Sequence, residues 1–220
     1  MPRDHTQRFV ELAMQRDALR FGSFTLKSGR QSPYFFNAGM FDDGAALAEL
    51  GECYAAALLE SGVEFDMLFG PAYKGIPLVT ATAMALARNH SRAVPFAFDR
   101  KEAKDHGEGG RIVGRALAGR VVIVDDVITA GTAIRQSLAL IRSARAQPVA
   151  VLLALDRQER GQGERSAVEE LASAEQLQCI SILNLAGLIA TLAGAGSDRV
   201  RISDTELAAL RDYRKRYGTG

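Results

Sequence analysis

Cysteine is scarce in this sequence of 220 residues. Its two cysteines, Cys53 and Cys179, lie far apart and form no C-x-x-C pair. This scarcity argues against a disulfide-linked scaffold and against a cysteine-ligated zinc site. We expect both residues to be buried thiols in a reducing compartment.

The sequence also lacks an excess of charge of either sign. Its 27 basic and 26 acidic residues give a net charge of +1, so no global field attracts nucleic acid or a membrane surface, and any anion binding must be local. No apolar stretch approaches the roughly 18 residues that span a bilayer, and the N-terminal residues lack the order of a signal peptide. We therefore expect a soluble, cytoplasmic protein that binds neither nucleic acid nor membrane.

The stretch from Val121 to Thr132 carries the strongest chemical signal. Four β-branched apolar residues are followed directly by Asp125 and Asp126 and then by a turn rich in hydroxyls and glycine. The apolar run predicts a strand buried on both faces, and the spacing after the turn predicts a helix over 133–142. In open α/β sheets ligands bind at the carboxyl ends of strands, where helix N-termini attract phosphate.

The turn from Thr129 to Thr132 is therefore predicted to bind a phosphate. It has neither the glycine spacing of the ATP-binding loop nor the GxGxxG pattern of dinucleotide sites. We expect the carboxylates of Asp125 and Asp126 to be exposed at the strand end, where they can accept hydrogen bonds from vicinal hydroxyls or face a hydrated divalent cation. A phosphate beside a diol suggests a ribose 5-phosphate. The alternative is that Asp126 only caps the helix.

Two other predicted strands also end in polar loops. An apolar strand over 65–70 precedes a loop of glycine and proline over 71–77 that carries Lys74, a second candidate anion site. A buried strand over 148–155 precedes Arg157, whose planar guanidinium is suited to bind a carboxylate bidentately. The alternatives are a plain turn with a solvated lysine and a surface salt bridge.

Aromatic residues and turn formers alternate over 21–37. This composition predicts a β-hairpin that lies over a site as a hood. Phe35 and Phe36 would then face a ligand, with Lys27 beside them. The alternative is that the two phenylalanines belong to the core and that Lys27 is a solvated turn residue.

A charged segment with many glycines occupies 99–111 and follows a short strand over 94–98. Because Pro95 cannot donate to a ladder, we expect that strand to lie at the edge of the sheet. The absence of apolar periodicity predicts a mobile loop. Its basic side chains suit a lid that closes over a diphosphate, although solvated surface is the alternative.

Together these segments resemble the orotate phosphoribosyltransferases, a family of type I phosphoribosyltransferases. Asp125, Asp126 and the Thr-x-Gly-Thr turn resemble the motif that binds phosphoribosyl diphosphate (PRPP). Phe-Thr-Leu-Lys-Ser-Gly with Ser-Pro-Tyr-Phe-Phe-Asn resembles the hood over the base, and Arg-Lys-x-x-Lys-Asp-His-Gly resembles the catalytic loop. The resemblance extends to about Leu188.

The order of elements and the resemblance predict the same α/β fold. We expect a doubly wound, mostly parallel sheet of about five strands with flanking helices. A small N-terminal hood would come mainly from residues 20–40. Residues 1–220 would form a single phosphoribosyltransferase domain.

The resemblance implies transfer of the 5-phosphoribosyl group from PRPP to orotate, which gives orotidine 5′-monophosphate and diphosphate in pyrimidine biosynthesis. It implies Mg²⁺ held mainly through PRPP and water, without a direct protein ligand, and a homodimer with shared active sites. The residues to which it assigns catalysis are Lys104, His106 and Asp126. Those to which it assigns PRPP binding are Lys27, Tyr73, Lys74, Arg100, Lys101, Lys104, His106, Asp125, Asp126, Val127, Ile128, Thr129, Ala130, Gly131, Thr132 and Ala133. Those to which it assigns orotate binding are Lys27, Phe35, Phe36, Thr129 and Arg157.

Two alternatives to this activity stay open. A purine or uracil phosphoribosyltransferase shares the central motif but has no need of an arginine that meets a carboxylate. A non-catalytic nucleotide-binding regulator on the same fold has no need of the charged loop. The resemblance also implies that the loop over 71–77 binds diphosphate partly through a non-proline cis peptide.

Overall fold

A computed structural model describes residues 4–26, 28–104, 110–128, 131–161, 163–194 and 200–219, with the backbone alone at 101–104 and 110. The strands are β1 (Leu19–Thr25), β2 (Gln31–Phe36), β3 (Met67–Gly70), β4 (Phe96–Lys104), β5 (Gly110–Gly114), β6 (Arg120–Asp125), β7 (Gln147–Asp156) and β8 (Gln178–Asn184). The helices are α1 (His5–Gln15), α2 (Gly44–Glu60), α3 (Gly75–Asn89), α4 (Thr132–Ser143), α5 (Ala167–Glu175), α6 (Leu185–Ala193) and α7 (Asp204–Tyr217).

The central sheet has six strands in the order β5-β4-β3-β6-β7-β8. All neighbouring pairs are parallel except β4 and β5, which are antiparallel. The chain passes from β3 to β4 on one side and then returns to place β6 on the other side of β3. The strand order therefore reverses between β3 and β6, which is the point where open α/β sheets bind ligands.

Alternate residues of β6 pack into two separate cores. Val122 and Val124 belong to the core that includes α1, α2, α3, α6 and α7, whereas Val121 and Ile123 belong to the core that includes α4 and α5. All four side chains are fully buried. This arrangement explains why the strand reads as a continuous apolar run, and it confirms a sheet covered by helices on both faces.

The charged segment after Phe98 differs from the prediction. Residues 99–104 continue β4, and β5 begins at Gly110, so the mobile loop predicted over 99–111 is partly a β-hairpin. Because β5 covers β4, the strand that contains Phe96 is not at the edge of the sheet, and the sheet has six strands rather than about five. Pro95 precedes the strand, where its carbonyl accepts a hydrogen bond from Leu68 N. Residues 99–104 are mostly polar, so they gave no apolar periodicity, and backbone ladder bonds need no apolar side chains.

The predicted hairpin is present as the antiparallel pair of β1 and β2. Tyr34 of β2 is fully buried, and its ring meets the ring of Tyr213 of α7 edge-on at 6.2 Å. The C-terminal helix thus packs against the hairpin. Cys53 is buried, as expected, whereas Cys179 is only half-buried. Among the described residues, no helix is long and apolar enough to cross a membrane.

Candidate active site

Asp125 and Asp126 lie at the carboxyl end of β6, next to the reversal of strand order. Their exposed fractions are 8% and 5%, so the expectation that both side chains are exposed is wrong. Asp126 N donates to Asp125 Oδ1 at 2.9 Å. The N-cap of α4 is Gly131, in a left-handed conformation with φ 70°, and this residue has no side chain that could cap the helix. Asp126 is therefore not a helix cap.

The backbone of this acidic pair is tightly held. Tyr54 of α2 donates its buried hydroxyl to Asp125 O at 2.8 Å. Ala154 N and Leu155 N of β7 both donate to Asp126 O, at 3.0 and 3.2 Å. The two carboxyl groups are thus fixed by the sheet and by α2 rather than carried on a free loop.

The environment of Asp125 favours its neutral form. Burial, followed by the negative charge of Asp126, raises the pKa of Asp125 from its ordinary value of 3.8 to about 7. A neutral carboxyl group can donate as well as accept a hydrogen bond. Asp125 can therefore engage a hydroxyl group in either role near neutral pH.

The loop after β3 brings a cation to this pair. Lys74 Nζ lies 2.5 Å from Asp126 Oδ2, and the lysine side chain is half exposed while the carboxylate is buried. Gly75, the first residue of α3, approaches the end of β6 so closely that a Cβ there would lie 2.9 Å from Val124 O. Only glycine permits this approach, which brings the loop against the acids.

A buried aspartate of β4 anchors the same loop. Asp99 Oδ1 accepts a hydrogen bond from Ala72 N at 2.6 Å, and its other oxygen lies 3.9 Å from Arg111 Nη2 on β5. The Ala72–Tyr73 peptide bond is cis, and the Tyr73 side chain is 66% exposed. The loop therefore presents Tyr73 and Lys74 outward from a backbone tied to β4.

The turn before α4 is described only in part. Val127 and Ile128 follow the acids, and Ile128 is buried in the core. Thr129 and Ala130 lie outside the described residues. Gly131 precedes the helix, and the exposed residues of its first turn are Thr132 and Ala133.

The charged segment over 99–111, called the arm from here on, is likewise described only in part. Arg100 is half-buried on β4, one residue beyond Asp99. Lys101 and Lys104 continue the strand, and Lys104 pairs with Gly110 of β5. His106 lies outside the described residues. β4 thus runs from beside the loop over 71–77 into the arm.

Arg157 follows β7 and is fixed on several sides. Its Nη2 and Nε lie 2.6 and 2.7 Å from Glu159 Oε1, and Nη2 donates to Ser32 Oγ at 3.1 Å. The guanidinium carbon lies 4.3 Å from the centre of the Tyr34 ring. The side chain is only 14% exposed, so this ion pair is not the surface salt bridge considered above.

The two predicted base-binding phenylalanines of β2 differ in their packing. Phe36 packs against the core, with its ring 5.9 Å from that of Phe9. Phe35 stacks on Phe24 of β1 at 5.6 Å, and Arg20 lies over both of these rings. Both phenylalanines are half-buried, and Lys27 lies outside the described residues.

A cavity of about 470 Å³ lies elsewhere, between α1, α2 and β8. None of the described residues assigned to the site lines it. A cavity alone does not identify a site, and here the convergence of charged groups at the ends of β3, β6 and β7 is the stronger indication.

Residues 37–181 match the sequence profile of the phosphoribosyl transferase domain. The orotate phosphoribosyltransferase of Thioalkalivibrio sulfidiphilus is 58% identical over 210 residues, which cover 96% of each chain. That of Alteromonas mediterranea is 57% identical over 210 residues with the same coverage. The chain belongs to the orotate phosphoribosyltransferase family.

The fold agrees with membership of the orotate phosphoribosyltransferase family. The crystal structure of the Francisella tularensis orotate phosphoribosyltransferase superposes with a TM-score of 0.85 at 38% identity. The superposition covers 96% of this chain and 99% of the other. It confirms the α/β sheet with flanking helices that the order of elements predicted.

The sequence analysis missed several residues that hold this candidate site in place. Asp99 was counted within a mobile loop, and Tyr54, Glu159 and Tyr213 were assigned no role. A charged residue directly after a predicted strand could have marked Asp99, but no local pattern pointed to the other three.

Proposed function

We propose that the chain transfers the 5-phosphoribosyl group from PRPP to orotate, giving orotidine 5′-monophosphate and diphosphate. One observation carries the proposal: the adjacent ends of β3, β6 and β7 gather Lys74, the Asp125–Asp126 pair and Arg157 at one edge of the sheet. These groups suit an anionic leaving group, a ribose diol and a base with a carboxylate. Membership of the family supports the same assignment.

PRPP would lie across the reversal of strand order. Asp125 and Asp126 would bind the ribose hydroxyls, and the turn over 129–132 with the first residues of α4 would bind the 5-phosphate. Tyr73, Lys74 and the basic arm would bind the diphosphate. The ion pair between Lys74 and Asp126 places a cation where the ribose and the diphosphate would meet.

Orotate would be held between the hairpin and the loop after β7. The carboxylate of orotate is suited to the guanidinium of Arg157, which forms bidentate contacts with planar anions. Phe35, Phe36, Lys27 and Thr129 would frame the ring. The buried position of Arg157 supports this role, because a carboxylate is bound more strongly by a cation shielded from water.

Mg²⁺ fits the donor chemistry of this edge. It prefers carboxylate, phosphate and water oxygens, and Asp125 and Asp126 supply two carboxyl groups at a strand end. These residues would hold it through water while PRPP supplies most of its ligands. When bound, it would neutralise charge on the leaving diphosphate.

The residues would catalyse the transfer by electrostatic stabilisation. Departure of diphosphate leaves positive charge on the ribose ring. The negative charge on the departing diphosphate would be stabilised by Lys74, Arg100, Lys101 and Lys104. His106 would lie beside the same group, to which its imidazole can donate a hydrogen bond. Closure of the arm would exclude water from the reactive sugar. No nucleophilic side chain is needed.

The arm would close over the site of a neighbouring subunit in a homodimer. It extends from β4 and β5 at one edge of the sheet, so it can leave the body of its own subunit. A two-fold interface would make the exchange reciprocal and create two shared sites. We propose that this dimer acts in the cytoplasm, where pyrimidine nucleotides are made.

A substrate panel tests the proposed activity. The purified protein is given PRPP and Mg²⁺ with orotate, uracil, hypoxanthine or adenine, and formation of nucleotide and diphosphate is measured. We expect turnover with orotate alone, dependent on PRPP and abolished by a metal chelator. Turnover with another base in place of orotate would favour a purine or uracil enzyme, and PRPP binding without any turnover would favour a regulator.

A further inference from the structure

The position of Arg157 depends on a residue that itself contacts the C-terminal helix. Glu159 Oε1 accepts hydrogen bonds from Arg157 Nε and from the hydroxyl of Tyr213, both within 2.8 Å. The Glu159 side chain is 15% exposed, comparable to that of Arg157. A largely shielded carboxylate therefore joins the arginine after β7 to α7.

The backbone around this contact is also paired with the end of α7. Glu159 forms an isolated antiparallel bridge with Gly218, and Arg160 N donates to Tyr217 O at 2.8 Å. Thr219 N donates to Gln158 O at 2.9 Å. The loop that carries Arg157 is thus held along its length by residues at the end of α7.

An arginine that binds a substrate gains from being fixed beforehand. A free arginine side chain loses conformational entropy when it is ordered, which weakens binding. Here the ring of Tyr34, the hydroxyl of Ser32 and the carboxylate of Glu159 restrain the guanidinium through contacts within the protein itself. Much of that cost is met during folding, which favours binding.

We propose that Glu159 and Tyr213 are positioning residues for the nucleobase site, acting through Arg157. Tyr213 orients the carboxylate of Glu159, and Glu159 orients the guanidinium toward the carboxylate of the base. The C-terminal helix α7 is then part of the specificity for a carboxylated pyrimidine. This inference rests on the proposed function, because it takes the carboxylate of orotate as the group that Arg157 binds.

Tyr213→Phe tests the proposal with little disturbance. The substitution keeps the ring that packs on Tyr34 and Tyr217 and removes only the hydroxyl that donates to Glu159. We expect the KM for orotate to rise about five- to tenfold, which is less than the direct loss of a hydrogen bond to a charged group would cause, because the effect reaches orotate only through Glu159 and Arg157. The KM for PRPP and kcat should change less than about twofold. Glu159→Gln, which removes the charge, should raise the KM for orotate at least as much.

The matched control is Tyr217→Phe. Tyr217 lies on the same helix, and the centre of its ring is 5.0 Å from that of Tyr213. The hydrogen bond to Glu159, however, is donated by the hydroxyl of Tyr213. This variant should keep wild-type constants for both substrates. An equal rise in the KM for orotate would mean that any change in α7 perturbs the site, and the specific role of Tyr213 would be wrong.

A double-mutant cycle shows whether the effect passes through Arg157. In an Arg157→Ala background, Tyr213→Phe should cause no further loss, since the residue being oriented is absent. Calorimetric affinities give a second readout: Tyr213→Phe should weaken binding of orotidine 5′-monophosphate but not of uridine 5′-monophosphate, which lacks the carboxylate.

The outcomes separate the two proposals. A wild-type protein that does not turn over orotate would overturn the proposed function. If the wild type turns over orotate, two results would overturn the positioning role alone. One is an unchanged KM for orotate in Tyr213→Phe. The other is an equal rise in that KM when Tyr213→Phe is added to Arg157→Ala. Thermal unfolding of each variant would show that the fold is kept.

Discussion

Lys74 Nζ lies 2.5 Å from Asp126 Oδ2, and this contact joins the loop after β3 to the end of β6. The two residues belong to different βα units that meet where the strand order reverses. The lysine and the carboxylate therefore neutralise each other. PRPP would replace this pairing, with its diphosphate taking the lysine and its hydroxyls taking the carboxylate.

We expect Lys74→Met to weaken PRPP binding by at least about tenfold, because it removes a point charge beside the diphosphate. The free energy of unfolding should fall by about 1 kcal/mol. This value is modest because solvent screens the ion pair at Lys74, which is 54% exposed, even though Asp126 is only 7% exposed. Binding is measured by calorimetry and stability by urea unfolding. When Asp126→Asn is already present, Lys74→Met should cause no further loss of stability. If the loss persists, the ion pair is not its cause.

Asp125→Asn should make stability less dependent on pH. Burial and the charge of Asp126 raise the pKa of Asp125 to about 7 in the folded protein. Between pH 4 and pH 7 the unfolded chain loses this proton while the folded chain keeps it, so the wild type loses stability as pH rises. The isosteric amide cannot ionise and still accepts from Asp126 N. The free energy of unfolding of the variant, relative to that of the wild type, should therefore rise by on the order of 2 kcal/mol from about pH 5 to about pH 8.

Urea unfolding at both pH values measures this difference. Asp66→Asn is the matched control, because Arg120 lowers the pKa of this exposed carboxyl to about 2. Its effect on stability should be the same at both pH values, since Asp66 stays ionised in folded and unfolded chains alike. If the stability difference between Asp125→Asn and the wild type is also the same at both pH values, the raised pKa of Asp125 is contradicted.

Tyr34→Phe and Tyr54→Phe should have opposite effects on stability. The hydroxyl of Tyr34 is buried without a hydrogen-bond partner among the described residues, so its removal should leave stability unchanged or raise it by about 1 kcal/mol. The equally buried hydroxyl of Tyr54 donates to Asp125 O, so its loss should cost about 1–2 kcal/mol. Thermal melts compare the two variants. A larger loss for Tyr34→Phe than for Tyr54→Phe would show that the Tyr34 hydroxyl has a partner.

The shared active site of the proposed dimer is tested by mixing two inactive variants. Lys104→Ala disables the arm and Asp126→Ala disables the acidic pair, and the two proteins are unfolded together and refolded in equal amounts. About half of the dimers should be hybrid, each with one site built from two intact parts. Activity should return to about a quarter of that of the wild type. No recovery, with hybrid dimers confirmed by mass, would show that each arm serves its own subunit.

The sequence predicted the parts of the site that have a local pattern. The apolar run before Asp125 and Asp126 marked a buried strand, and a glycine turn before an amphipathic stretch marked the start of α4. Arg157 was found because it directly follows another apolar strand. Strand ends carry this information because parallel strands place their carboxyl ends at one edge of the sheet.

The remaining features depend on contacts between distant segments. The acidic pair is held by groups outside residues 121–132: Tyr54 of α2 and the β7 backbone bind its carbonyls, and Lys74 contacts Asp126. The pairing of Glu159 with Tyr213 joins residues 54 positions apart. The continuation of β4 over 99–104 and its pairing with β5 were missed because residues 99–104 are mostly polar and are held by backbone hydrogen bonds.

The two hydrogen bonds that Asp126 O accepts from Ala154 N and Leu155 N have a consequence for engineering. They fasten β6 to β7 at the second acid itself, so the turn over 127–131 begins from an immobilised point. We expect insertions or grafted sequences in that turn to alter the segment proposed to bind the 5-phosphate while both carboxyl groups, proposed to bind the ribose hydroxyls, stay in place. The two proposed subsites could then be varied one at a time.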